Sequence, residues 1–305
     1  MPASAIEDAM TISATSSEPD TVPAAASAAP TLLRRLFNGR PTTAAALILL
    51  VVVLLSVLAP WLHTVDPLQL DPSQRLKGIS AAHWLGTDAY GRDVYSRVLY
   101  GGRVSLVVGL GAALASVALG LVIGVLAGYF RWIDAIVMRI MDGMMAIPGV
   151  LLAIALIALS GASLVTVLAA ITIPEIPRVV RLVRGVILSV RNEPYVEAAL
   201  SLGTRPVKLM WRHLVPNTLA PLVVQGTYVF ASAMITESIL SFLGAGVPPE
   251  VASWGNIMAD GRSYFQLIPG LVLYPGVLLS LTVLSVNILG DAMRDALDPR
   301  MARRM

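Results

Sequence analysis

The chain contains no cysteine, which excludes disulfides, thiol catalysis and cysteine-ligated metal. Its three histidines, His63, His83 and His213, lie far apart, with no HxxxH-type pair for zinc. No GxxxxGK[ST] loop occurs, so this chain does not itself bind ATP in that way. The isolated Ser, Asp and His residues form no hydrolase signature, and no catalytic constellation emerges. Charge is scarce as well. Only 13% of the 305 residues are charged, against about 25% for a soluble domain. A net charge of +3 does not suggest nucleic acid.

What fills the chain instead is apolar sequence: 56% of residues are hydrophobic and the mean hydropathy is +0.76. This composition belongs to an integral membrane protein. About 20 apolar residues cross a bilayer. The expected architecture is all-α with about six transmembrane helices, near residues 42–62, 104–130, 133–160, 162–173, 218–243 and 267–289. Residues 1–30 are rich in Ala, Ser, Thr and Pro and read as a disordered cytosolic tail. Arg34, Arg35 and Arg40 precede the first span, and Trp61 sits at its far end as an interface anchor. About 16 of the 22 Lys and Arg residues then fall on one side, which places both termini in the cytosol.

Several features inside these spans are candidates for packing or function. Gly120, Gly124 and Gly128 recur every fourth position, a pattern that lets helices approach closely. Pro148-Gly149 predicts a kink in the third span. Asp142 lies near the cytosolic end of that span, and its nearness to Arg139 favours snorkelling. In the fourth span Pro174, Glu175 and Pro177 follow the apolar run, then Arg178, Arg181 and Arg184. This predicts a helix that leaves the membrane early and carries a basic stripe into the cytosol. Glu237 stands inside the fifth span, and a buried acid must face a cavity or a partner. Glu237, with Ser241, is therefore a candidate for the translocation path; the alternative is a hydrogen bond to a neighbouring helix or a second chain.

The most informative polar stretch is 193–217, EPYVEAALSLGTRPVKLMWRHLVPN. Good helix formers from Glu197 to Leu202 predict a short helix, with Gly203 as its C-terminal cap. Val207, Met210, Trp211 and Leu214 then recur at helical spacing, opposite Arg205, Lys208 and Arg212. Pro216 marks entry into the fifth span. Two short helices with a small-residue face make a knob suited to a groove on a partner.

Glu197, Ala198, Ala199, Gly203 and Pro216, in that order and spacing, resemble the EAA loop of bacterial ATP-binding-cassette importer permeases. His213 resembles the Arg-His-hydrophobic-hydrophobic-Pro-Asn ending of the peptide/nickel branch. The segment HWLGTDAYGRDVYSRVLYGGRVSL resembles the stretch before the second helix of that branch, through residues such as Gly86, Asp88, Gly91, Arg92, Asp93 and Arg97. There Asp88 and Asp93, interleaved with Arg92, Arg97 and Arg103, predict local ion pairs on an external amphipathic helix. That helix is either a lid over the span ends or a wall of the substrate entrance. ESILSFLGAGVPPEVASWGNIMADGR and NILGDAMRDALDPR resemble the last third of the same branch, apart from Ala245, where a bulkier apolar residue is expected.

The resemblance runs from about residue 31 onward and implies a C-type permease subunit of a dipeptide or oligopeptide importer. It implies an N-terminal permease segment at 31–103 and a transmembrane core at 104–305. Coupling to the ATPase would rest on Glu197, Ala198, Ala199, Gly203, Arg205 and Pro216. It further implies a second permease subunit, one or two cytosolic ATPase subunits that hold ATP and Mg, and an extracytoplasmic peptide-binding protein, all at the bacterial cytoplasmic membrane. The chain itself would bind no cofactor and no metal. Related permeases carry nickel chelates or glutathione, which keeps those cargoes open. A self-sufficient secondary transporter or channel would need ionisable residues in several spans and an internal repeat, and neither is convincing here.

Overall fold

A computed structural model describes residues 39–297. The tail at 1–30, Arg34, Arg35, Arg300, Arg303 and Arg304 lie outside the described residues. Within them the chain is helical, with a single isolated bridge between Thr87 and Asp93 and no strand.

Helix α1, Arg40–Val57, starts at Pro41, whose missing N–H costs nothing in a first turn. It turns Leu47, Leu50 and Leu54 outward, as a lipid-facing helix does. Its C-terminal carbonyls are capped from a distance. Arg103 donates to the carbonyl oxygens of Ser56 (2.6 Å) and Val57 (2.5 Å), a cation at the negative end of the helix.

Helix α2, Val94–Tyr129, has 36 residues and so is about 54 Å long. It is longer than a bilayer requires. The external amphipathic helix and the second span, expected as separate elements, are one rod. Asp93 explains the start, because its carboxylate accepts from the Ser96 backbone N–H at 2.8 Å and from the Ser96 hydroxyl. The glycine stripe of α2 is a packing surface. A Cβ on Gly124 or Gly128 would come within 2.7 Å of Val183 or Ile187.

The third span is interrupted. Helix α3, Arg131–Met145, and helix α4, Gly149–Ser160, meet at 91° across Pro148. The break exceeds the kink expected. Asp142 accepts from Arg181 at 2.5 Å rather than pairing with Arg139, and Asp134 binds Arg184. These two pairs fix α3 to the helix after α4, which carries both arginines.

Helix α5, Leu164–Val190, begins with a capping box between Ser163 and Thr166. It runs unbroken through Pro174 and Pro177 and carries Arg178, Arg181 and Arg184 on one continuous helix. Packing explains the tolerance: Pro177 is buried and Pro174 lies against Gly149 of α4. Ser116 of α2 donates to the carbonyl of Thr172 at 3.4 Å, and Gly120, Gly124 and Gly128 abut Val179, Val183 and Ile187. Helices α2 and α5 therefore run side by side in the same direction.

After the 193–217 region comes helix α8, Val215–Phe242, then a short helix α9, Trp254–Gly261, and finally α10, Gly270–Leu297. The intervening α6 and α7 are described with the site. Trp254 is fully buried and donates its indole N–H to the Val98 carbonyl at 2.9 Å, which pins α9 onto α2. Among the described residues, four helices are long and apolar enough to cross a membrane, or five if α3 and α4 together count as one span. Helix α5, with its three arginines, falls outside that set by composition.

Candidate functional site

The polar island folds as the sequence indicates, with one change of face. Helix α6, Pro194–Ser201, places Pro194 in its first turn and ends at Leu202. Gly203 follows with φ +75°, a conformation that L side chains rarely adopt. Its N–H donates to the Leu200 carbonyl at 2.9 Å, and the Thr204 N–H donates to Ala199 at 3.1 Å. This pair of bonds is a Schellman cap, so Gly203 sets the turn between the two short helices. Helix α7, Pro206–Leu209, follows Arg205, whose carbonyl accepts from the Leu209 N–H. A π turn, Met210–Leu214, then joins it to α8 without a break, with Pro216 in the first turn of α8.

The π turn splits the apolar face expected of this piece. Met210 and Leu214 turn inward with Leu209, whereas Val207 and Trp211 are each 73% exposed. Val196 and Ala199 of α6 also point inward and join the core made by Val183 and Ile187 of α5. Leu202, 86% exposed, completes an outward patch with Val207 and Trp211. Glu197, Ala198 and Arg205 are exposed around it. A patch of large apolar side chains rimmed by charge marks an interaction surface. The knob is also braced from behind. Asn217 donates to the His213 carbonyl at 2.6 Å and to the Tyr195 hydroxyl at 3.2 Å, a tie that sequence spacing did not disclose.

At the opposite end of α8 the candidate path residue Glu237 is fully buried within the chain. Its Oε1 accepts from Ser241 (2.9 Å) and Ser253 (2.8 Å), and its Oε2 accepts from Ser105 at 3.4 Å. Ser105 accepts in turn from the Trp254 backbone N–H, and Ser253 caps α9. Glu237 thus joins α8 to α2 and α9. Ser241 alone of the two path candidates borders a cavity of about 210 Å³, beside Asp260 and Arg262.

The charges of the 83–103 segment form a largely buried cluster. Asp88 accepts from Arg92 Nε (2.6 Å) and Arg97 Nη1 (2.5 Å). Asp93 pairs with His83 at 2.9 Å, not with an arginine, and Arg103 turns to α1 instead. The missing member is Asp260 of α9, which accepts from Arg92 at 2.8 Å and Arg97 at 3.3 Å. Separated by more than 160 residues, it left no local signal. No group of three or more potential metal ligands occurs among the described residues.

Comparison with known proteins gives this geometry a context. The profile described as "Binding-protein-dependent transport system inner membrane component" matches residues 120–303. A probable peptide ABC transporter permease of Sinorhizobium fredii is 52% identical over 82% of this chain and 86% of its own. A dipeptide transport system permease of Alkalihalophilus pseudofirmus is 42% identical over 81% and 82%. A glutathione transport system permease of Pectobacterium atrosepticum is 38% identical over 81% and 84%. Among solved structures, the inward-facing MetNI methionine ABC transporter shares the fold at a TM-score of 0.53 and 20% identity, over 66% of this chain and 96% of the other. The chain belongs to the family of binding-protein-dependent transport system inner membrane components, the permeases of ABC transporters.

Proposed function

We propose that this chain is the non-catalytic permease subunit of an ATP-driven importer of dipeptides or oligopeptides in the bacterial cytoplasmic membrane. The observation that carries the reading is the 193–217 knob, an exposed apolar patch on a base packed into α5 and α8. Together with peptide permeases at 52% and 42% identity, it supports docking of a cytosolic ATPase against this surface. Glu197, Ala198, Ala199, Gly203, Arg205 and Pro216 form the coupling set. Ala198 allows close approach and Gly203 sets the angle of the knob. ATP and Mg are held by the ATPase subunits, a second permease chain completes the path, and an extracytoplasmic protein delivers the peptide. Closure of the ATPases moves the knobs and switches the path between outward- and inward-facing states.

Six spans with both termini cytosolic fit this role, with α5 as the added span lined by protein rather than lipid. The division at 31–103 and 104–305 then separates an accessory first span and its external segment from the transporting core. Glu237 acts as the polar tie that keeps α9 on the bundle, with Ser241 at its edge facing the external cavity. Glutathione is the second cargo to try, because one relative at 38% identity is named as its permease. The test is purification of the tagged chain in mild detergent, followed by peptide-stimulated ATP hydrolysis. Recovery with a second permease and ATPase chains, and stimulation by dipeptide, supports the reading. Recovery of this chain alone as a stable homo-oligomer contradicts it.

A further inference from the structure

Polar groups that neither the caps nor the knob use lie together halfway along α5 and α8. Ser232 donates to Glu175 Oε1 at 3.0 Å. Arg178 Nη1 stands 3.6 Å from Glu175 Oε2, outside hydrogen-bond range, and its guanidinium carbon is 6.0 Å from the centre of the Tyr228 ring. Arg178 has no other polar partner among the described residues, and Glu175 Oε2 has no hydrogen-bond donor there. The Tyr228 hydroxyl likewise makes no hydrogen bond among them. Three polar groups in one patch are thus unfilled.

The depth of this patch follows from the register of α2 and α5. Between Arg103 and Arg131 the chain carries no charged residue. Arg178 precedes Val179, which abuts Gly120, close to the middle of that stretch. Its side chain is nevertheless 48% exposed. A guanidinium facing lipid at this depth costs at least about 2.5–3.5 kcal/mol, so the face looks onto water or protein. Exposed positions continue down the same side of α5 as Arg181, Gly185 and Ser189, toward the cytosolic end. Such a strip suits the wall of an aqueous passage.

The geometry points to Arg178 as a carboxylate-binding group on the translocation path, with the Tyr228 hydroxyl as a second donor and Glu175 as a positioning residue. The ligand is a short peptide with a free C-terminal carboxylate, an inference that rests on the peptide-importer reading above. A guanidinium offers a planar fork of donors that matches a carboxylate. Glu175 neutralises Arg178 while the path is empty, and its contact at 3.6 Å leaves those donors free. The cargo carboxylate then exchanges with an internal one. Near-balanced exchange lets cargo enter without being trapped.

The test uses the complete transporter in proteoliposomes, with its binding protein at saturation, and compares uptake of dialanine with uptake of dialanine amide. Delivery is common to all variants, so the acid-to-amide ratio isolates the permease. Arg178→Met should shrink that ratio by about tenfold, the scale of 1.4 kcal/mol, and Arg178→Lys by less. Tyr228→Phe, which deletes only a hydroxyl, should shrink it by about threefold. A ratio unchanged in Arg178→Met and Tyr228→Phe, while the wild type takes up dialanine, overturns the subsite alone. Loss of the second permease from the Arg178→Met complex also overturns it, by assigning Arg178 to the subunit interface. A wild-type transporter that moves neither probe overturns the peptide reading and the subsite with it.

Discussion

The two ends of this bundle, which the proposed topology makes the external and the cytosolic end, solve opposite problems. At the external end, charged and polar side chains are drawn together largely out of water: Asp88, Arg92 and Arg97 with the partly exposed Asp260 in one cluster, where Arg97 Nε has no partner among the described residues, and Glu237 with three serines in another. At the cytosolic end, large apolar side chains are left in the open: Leu202, Val207 and Trp211. Water rewards neither arrangement in an isolated chain. Buried charge holds segments distant in sequence in one geometry, at a desolvation cost that only good partners offset. Exposed apolar area is tolerable where another protein covers it. The external end therefore acts as a fixed frame, and the cytosolic end presents a surface to a partner that moves.

That contrast can be broken most severely at Arg97. Arg97→Leu removes the more buried of the two arginines that Asp88 and Asp260 share and should destabilise the chain by about 3–5 kcal/mol, read as a lowered unfolding midpoint in detergent. A midpoint equal to wild type would show that the cluster does not hold the frame. Glu237→Gln should cost less, about 1–2 kcal/mol, because the amide oxygen still accepts from Ser241 and Ser253 and only the Ser105 bond loses its acceptor. If it leaves both midpoint and transport unchanged, the tie between α8 and α9 has been misassigned.

Gly203→Arg addresses the other end. A non-glycine residue at φ +75° costs roughly 1–2 kcal/mol locally, and the bulky side chain sits beside the docking patch. Membrane insertion should be retained and transport lost; normal uptake would remove the knob from the coupling mechanism. Trp211→Ala should have the smallest effect on the fold, within about 0.5 kcal/mol, because the ring touches mostly solvent. Yet it should weaken ATPase association by about tenfold or more, as loss of an interface anchor does. Equal ATPase affinity in the two proteins would move the interface elsewhere.

How much of this was legible in the sequence depended on the range of the interactions. The knob was legible because its determinants are local: good helix formers from Glu197 make the first helix, Gly203 closes it, and Pro216 marks entry into α8, although the first helix starts at Pro194, three residues earlier than expected. The glycine stripe of α2 was legible for the same reason, since a four-residue period needs no knowledge of its neighbour. The split face at Met210 and Trp211 was not, because the inserted π turn leaves no mark on helical periodicity. That α5 runs unbroken through Pro174 and Pro177 rests on packing against α2 and α4, which the sequence does not display. Asp260 and Ser253 were invisible as partners of Arg97 and Glu237, because only folding brings α9 back onto α2 and α8. The depth of Arg178 also required the register between two helices.

The absence of native cysteine makes the central claim directly accessible. A single Ala198→Cys substitution puts a thiol on the exposed side of α6, beside Glu197. With matched single cysteines on the ATPase subunit, disulfide cross-linking of the assembled transporter should give one dominant permease–ATPase product, whose yield changes when ATP is added. A functional, assembled complex in which this reagent-accessible thiol never cross-links to the ATPase would contradict the assignment of 193–217 as the coupling surface.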